Sequence, residues 1–195
     1  MYLASASPRR RELLRQIGVP FEVRPAAIAE SRQAGEAPED LVLRLAQAKA
    51  ERIWEDRAAD EERAVLGADT AVVLGESILG KPEDPGDALS MLAELSGRTH
   101  QVVTGISVIG ADGCRSEISL SEVRFKETTE QERLAYVATG EPMDKAGGYA
   151  IQGMGAVFVE HLKGSYSSVV GLPLALTASM LSDIGMPPWL HEVAE

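Results

Sequence analysis

The sequence predicts an α/β domain built on a mixed β-sheet flanked by helices. Three observations carry this. Short apolar runs alternate with helix signals along the chain. Asp112-Gly113 is a hairpin signal between two alternating runs, which puts an antiparallel pair into a sheet whose other strands are separated by helices. The 195 residues are 45% hydrophobic and 25% charged, enough for a single domain over residues 1–195 with a sizeable core.

Tyr2–Ser5 reads as a short strand, and Ser7-Pro8 as an N-cap followed by proline at the first helical position. Leu13, Leu14 and Ile17 give that helix an apolar side, and Gly18 stops it. Phe21–Arg24 alternates as a strand, and Ala26–Ala37 is polar and loop-like. Pro38–Arg57 carries the longest helical pattern, with Leu41, Leu45, Ala48 and Arg52 on one stripe. Val65–Ala68 and Ala71–Leu74 read as buried strand, broken at Asp69-Thr70. Pro85–Leu95 is a helix capped by Asp84. Gln101–Ile109 and Ser116–Phe125 alternate on either side of the hairpin signal. Thr129-x-x-Glu132 is a capping box for a helix running to Gly140. Ala156–Leu162 follows as a strand, and Leu172–Ile184 as a last helix before Pro187-Pro188.

The net charge of −11 repels a polyphosphate backbone, and 5% aromatic residues are too few for a base-stacking platform; both argue against nucleic-acid binding. No apolar run reaches the roughly 18–20 residues that span a bilayer, and Met1–Arg15 has the reverse of a secretory signal's polarity, so no membrane partner is expected. The single Cys114 excludes an internal disulfide framework, and the expected compartment is the cytosol.

Gly75-x-x-x-x-Gly80-Lys81 nearly spells a P-loop, but Pro82 stands where a magnesium-binding hydroxyl is needed. Gly153-x-Gly155 lacks a third glycine and is followed by a strand. His100, His161 and His191 are too widely spaced for a local metal site.

Four segments remain. In Ser5-Ala6-Ser7-Pro8-Arg9-Arg10-Arg11, a helix starts within an arginine cluster. Free N–H groups, the positive dipole end and forked guanidinium donors together suit a phosphate, although the arginines also read as solvated. Asp69, in Gly67-Ala68-Asp69-Thr70, stands at the end of an apolar strand, where a carboxylate can hold a metal or accept a proton from water; a turn aspartate is the alternative. Lys49 lies among Ala46, Ala48 and Ala50, small neighbours that would let a ligand approach, and Lys81 lies between Gly80 and Pro82. Each lysine alone reads as a solvated surface residue; with the arginines they could neutralise a triphosphate. Gln152 ends the glycine-rich run Asp144–Gly153. Its amide donates and accepts together, as a planar imide edge requires, or it caps a structural loop.

In this order the segments resemble the Maf family of nucleoside triphosphate pyrophosphatases. The matching segments are Leu3-Ala-Ser-Ala-Ser-Pro-Arg-Arg10, Gly67-Ala-Asp-Thr70, Gly80-Lys-Pro82, Leu95-Ser-Gly-Arg-Thr-His100, Val103-Thr-Gly105, Glu141–Gly153 and Tyr166–Pro173. The resemblance runs from residue 3 to about residue 180. It implies hydrolysis between the α and β phosphates, on an elongated mixed sheet like that of the inosine triphosphate pyrophosphatases, with a cleft between two lobes. Ala68-Asp69-Thr70 and Tyr149-Ala150-Ile151-Gln152 resemble the branch acting on dTTP and UTP. A 7-methyl-GTP pyrophosphatase, or a nucleotide-binding regulator of septum formation without useful turnover, are the alternatives.

The resemblance places the family's selectivity positions at Arg9, Thr70 and Gln152, its catalytic aspartate at Asp69 and a second acidic residue at Glu30. Glu30 and Asp69 are then expected to hold Mg²⁺ or Mn²⁺, with Asp69 as general base. Arg10, Lys49 and Lys81 are expected to offset charge on the leaving pyrophosphate, while Ser5, Ser7 and the helix N-terminus position the phosphates. Gly148 stands where the family commonly has alanine and is expected to loosen its loop slightly. The resemblance also allows a homodimer, to which the apolar Met186–Leu190 either contributes or not.

Overall fold

Alternating apolar strands and capped helices assemble into an α/β fold. The computed structural model describes residues 1–58 and 61–188. Strands β1 (Tyr2–Leu3), β2 (Glu22–Val23), β3 (Val65–Leu74), β4 (Ser77–Leu79), β5 (Thr99–Gly110), β6 (Gly113–Phe125) and β7 (Val159–Lys163) form one seven-stranded sheet in the order β2-β1-β3-β5-β6-β7, with β4 paired to β3. The sheet is mixed as expected: β1 runs parallel to both β2 and β3, whereas β3–β4 and β6–β7 are antiparallel. The helices are α1 (Pro8–Gln16), α2 (Pro38–Asp56), α3 (Pro85–Leu95), α4 (Glu130–Val137), α5 (Tyr166–Val170) and α6 (Leu174–Asp183).

Local chemistry accounts for the helix starts. Ser7 Oγ accepts from the Arg10 amide, Asp84 caps α3 through the Asp87 amide, and Thr129 and Glu132 close a reciprocal capping box at α4. Proline stands in the first turn of α1, α2 and α3, where its missing N–H costs nothing. α4 stops at Val137, short of the expected Gly140, because Gly140 adopts a left-handed conformation that leads into a 3-10 turn, Glu141–Asp144.

Two expectations need correction, and the structure adds two elements. β3 is continuous through Asp69 and Thr70 rather than broken there. β1 pairs with it only at Val65 and Leu66, and β4 only at Val72–Leu74, so Asp69 and Thr70 lie in a stretch paired with neither. A carboxylate is tolerated within that strand because it is ion-paired rather than bare. β4 is one added element. Gly75 and Glu76 turn β3 back onto it, so the P-loop-like run is a hairpin and not a strand, loop and helix. Residues Met154–Phe158 form a 3-10 turn, so β7 begins at Val159 rather than Ala156. The other added element is Tyr166–Val170, a separate short helix ahead of α6.

The chain divides into two compact units: 1–69, 104–119 and 171–195 form the first, and 70–103 with 120–170 the second. Within the first, Tyr2, Ala4, Ala50, Ile53, Val65 and Ile109 form a buried apolar cluster. Within the second, the core gathers Leu92, Leu95, Phe125, Tyr136, Tyr149 and Phe158, with His100 edge-on to Phe125 and Tyr149. Among the described residues no helix is long and apolar enough to cross a membrane. Of the segment Met186–Leu190, Trp189 and Leu190 lie outside the described residues, as does His191.

Candidate functional site

The geometry of the first unit starts from two glycines. A Cβ on Gly67 would lie 2.1 Å from the Ala46 carbonyl oxygen and 2.9 Å from the Ala50 amide; one on Gly105 would lie 2.6 Å from the Val42 carbonyl oxygen. Only glycine lets α2 approach β3 and β5 this closely. The turn Ala46–Ala50 therefore lies directly on Gly67. Side chains two apart along a strand share a face, so Asp69 faces the same helix turn, and Lys49 belongs to that turn.

Lys49 meets it there. Lys49 Nζ donates to Asp69 Oδ1 at 2.7 Å and pairs with Glu30 Oε1 at 2.6 Å. The lysine side chain is 8% exposed and that of Asp69 15%, while Glu30 is 52% exposed. This corrects the reading of Lys49 as a solvated surface lysine. Its alanine neighbours offer a ligand no approach at Ala46 and Ala50, which are wholly buried. They pack against the bare Gly67 and so deliver the lysine to the two acids.

The arginine cluster adjoins these groups. Arg10 Nε donates to the Gly171 carbonyl at 2.8 Å, and its Nη1 to Ser5 Oγ at 3.1 Å. Ser5 is buried, and its hydroxyl also accepts from the Ser7 amide at 3.2 Å. Burial lowers the Arg10 pKa from its ordinary value; Asp69 and Glu30 oppose that shift and Arg9 reinforces it. The first unit thus brings together Ser5, Ser7, Arg9, Arg10, Glu30, Lys49 and Asp69.

The second unit holds the other expected residues. Thr70, half-buried, follows Asp69 along β3; Lys81 and Gln152 are exposed. The Gly147 amide donates to the Gly80 carbonyl at 2.9 Å, which ties the segment before Lys81 to the loop that leads to Gln152. Gly148 sits at φ +67°, a left-handed conformation in which glycine is unstrained. Glycine therefore suits this loop, against the expectation that it loosens it.

Sequence reasoning missed several supporting groups. Arg44 forks onto Glu36, at 2.5 Å to Oε1 and 2.8 Å to Oε2, and also donates to the Ser31 carbonyl at 3.1 Å, so it binds down the segment that follows Glu30. The Arg44 guanidinium holds the Glu36 carboxyl down at about 2. Two residues outside the expected set, Tyr136 and Glu141, brace the turn that carries Gln152. No local motif marks either arrangement.

The donor set can be tested against a divalent cation. Two carboxylate oxygens, from Glu30 and Asp69, converge on a single cationic atom. Among the described residues no cluster of three or more His, Cys, Asp or Glu could hold a metal. Two carboxylates fit Mg²⁺ or Mn²⁺ only if phosphate oxygens complete the shell, the usual arrangement for magnesium with a nucleotide.

The chain is similar to known proteins over nearly its whole length. A "dTTP/UTP pyrophosphatase" of Hahella chejuensis (strain KCTC 2396) is 49% identical over 189 residues, covering 97% of this chain and 94% of that protein. One of the same name from Pseudoalteromonas atlantica (strain T6c / ATCC BAA-1087) is 50% identical over 187 residues, covering 95% and 97%. The family model described as "Maf-like protein" matches residues 1–184, and the chain belongs to that family.

Proposed function

We propose that this protein hydrolyses dTTP and UTP to the monophosphate and pyrophosphate. The observation that carries the reading is the pair of acids joined by Lys49 and set beside Arg10, in a chain about half identical to proteins named for that activity. Asp69 accepts a proton from the attacking water. The water oxygen bonds to the α phosphorus, the bond to the α–β bridging oxygen breaks, and pyrophosphate departs. Arg10, Lys49 and Lys81 offset the charge that gathers on the leaving group. Ser5, Ser7 and the N-terminus of α1 orient phosphate oxygens. Glu30 and Asp69 would hold Mg²⁺ or Mn²⁺ arriving with the nucleotide, and such an ion would acidify water and polarise the phosphoryl group.

Gln152 reads the N3–H and O4 edge shared by uracil and thymine, with Arg9 and Thr70 completing selection. Hydrolysis of a free nucleotide, in a chain with a single cysteine, suits a cytosolic enzyme. The test is a panel of dTTP, UTP, CTP, GTP, 7-methyl-GTP and ITP with Mg²⁺ or Mn²⁺, scoring pyrophosphate and orthophosphate separately. Pyrophosphate from dTTP and UTP, lost in Asp69→Asn, is expected. Release chiefly from 7-methyl-GTP would overturn the base assignment, and no turnover on any nucleotide would overturn the enzyme.

A further inference from the structure

Glu141 lies at the start of the 3-10 turn after α4, and its carboxylate is spent on Tyr136 of that helix and on one short loop. Oε1 accepts from the Tyr136 hydroxyl at 2.8 Å and the Gly155 amide at 3.0 Å; Oε2 accepts from the Met154 amide at 3.0 Å. The Tyr136 hydroxyl in turn accepts from the Ala150 amide at 3.1 Å. The loop is therefore gripped just before Gln152, at Ala150, and just after it, at Met154 and Gly155. A turn closed by the Gly153 amide on the Ala150 carbonyl, at 3.2 Å, lies between these anchors.

The grip leaves no slack. A Cβ on Gly153 would lie 2.3 Å from Glu141 Oε2, and one on Gly155 would lie 2.7 Å from the Tyr136 hydroxyl. Tyr136 is buried, with its ring edge-on to Phe158 at 5.2 Å, so the anchor does not move with solvent. Burial pushes the Glu141 carboxyl up, but the Gly155 and Met154 amides and the Tyr136 hydroxyl outweigh it, leaving the carboxyl below its ordinary value.

We infer that Glu141 and Tyr136 are positioning residues for base selection: together they fix the backbone turn that presents the Gln152 amide to the pyrimidine. The inference rests on the reading of Gln152 as the base-reading residue. Neither positioning residue need touch the nucleotide. A side-chain amide discriminates between donor patterns only if its carbon skeleton is held still, because a loose turn lets it adapt to either pattern.

The experiment measures kcat and KM for UTP and CTP in the wild type, Glu141→Gln, Tyr136→Phe and Gln152→Ala. It adds thermal unfolding and inhibition by inorganic triphosphate, a base-free probe of phosphate binding. Glu141→Gln keeps the shape but replaces one acceptor oxygen with a donor that faces backbone N–H. The expected result is a fall of about 10-fold in the UTP-over-CTP ratio of kcat/KM, carried mainly by KM for UTP. Inhibition by triphosphate should stay at the wild-type level, and Glu141→Asp should restore part of the ratio. Tyr136→Phe, which keeps the buried ring, should lower the ratio in the same direction.

An unchanged ratio in both folded variants, even with a lower unfolding temperature, assigns the network to stability alone and overturns the inference. Weaker triphosphate inhibition in proportion to the loss of UTP turnover also overturns it, because the damage is then general. If the ratio survives Gln152→Ala, the base-reading role of Gln152 fails and this inference fails with it; if only Gln152→Ala lowers the ratio, that role stands and the inference alone fails.

Discussion

Lys49 Nζ lies 2.7 Å from Asp69 Oδ1, and the lysine's other carboxylate partner, on Glu30, is 2.6 Å away. One ammonium thus holds together two acids that would otherwise repel each other. Removing it should do more than remove a positive charge. In Lys49→Met the two carboxylates are left without their cation, and stability should fall by roughly 1–3 kcal/mol. Mg²⁺ should return part of that loss, since a divalent ion can take up both acids. Denaturant midpoints with and without Mg²⁺ check this; equal losses in both conditions would count against a shared cation position.

Asp69→Asn is predicted to separate chemistry from folding. Lys49 keeps its Glu30 partner, so the unfolding temperature should move little. Turnover of dTTP and UTP should drop by about 10²–10⁴-fold, the range for losing a general base. Steady-state kinetics beside thermal unfolding reads both, and near-normal turnover would remove Asp69 from the mechanism.

Gly67→Ala should be severely destabilising despite adding one methyl. The new Cβ would meet the Ala46 carbonyl oxygen at 2.1 Å, and that oxygen belongs to a helix backbone that cannot rotate aside. A loss of at least about 1–3 kcal/mol is expected, with activity falling as α2 and Lys49 shift away from Asp69. Urea unfolding of purified protein measures it, and Gly80→Ala, where a Cβ meets nothing within 4 Å, serves as the control.

His100 sets an acid limit on stability. Burial among aromatic rings lowers its pKa from 6.5 to about 4. Between those values the unfolded chain binds the proton and the folded one does not. Stability should therefore fall as pH drops from about 6.5 to about 4, by about 3 kcal/mol in total, and flatten below. In His100→Asn that slope should disappear from a pH series of unfolding free energies.

Glu36 acts in a lower window. Its pKa is held at about 2 against an ordinary 4.5, so its contribution is complete above about 4.5 and fades as pH falls towards 2. Arg44→Gln should bring the Glu36 titration back towards 4.5, readable by NMR of the carboxyl carbon, and should weaken catalysis by freeing the segment after Glu30.

By itself the sequence determined the mixed α/β class, the starts of α1, α3 and α4, and the identity of the chemically capable residues. These are local properties: a capping side chain, a proline at the first helical position and an alternating apolar run act within a few residues. Lys49 shows where that reasoning stopped. Its neighbours in the chain are small and apolar, and nothing within a turn of helix hints at Asp69, twenty positions on. The bare Gly67 decides the matter by letting the helix backbone reach the strand, and it then places lysine and aspartate on one shared face. The grip of Glu141 and Tyr136 on the Gln152 turn has the same origin. A carboxylate that satisfies amides more than ten residues away leaves no periodic trace in the sequence, and only the folded chain brings it to them.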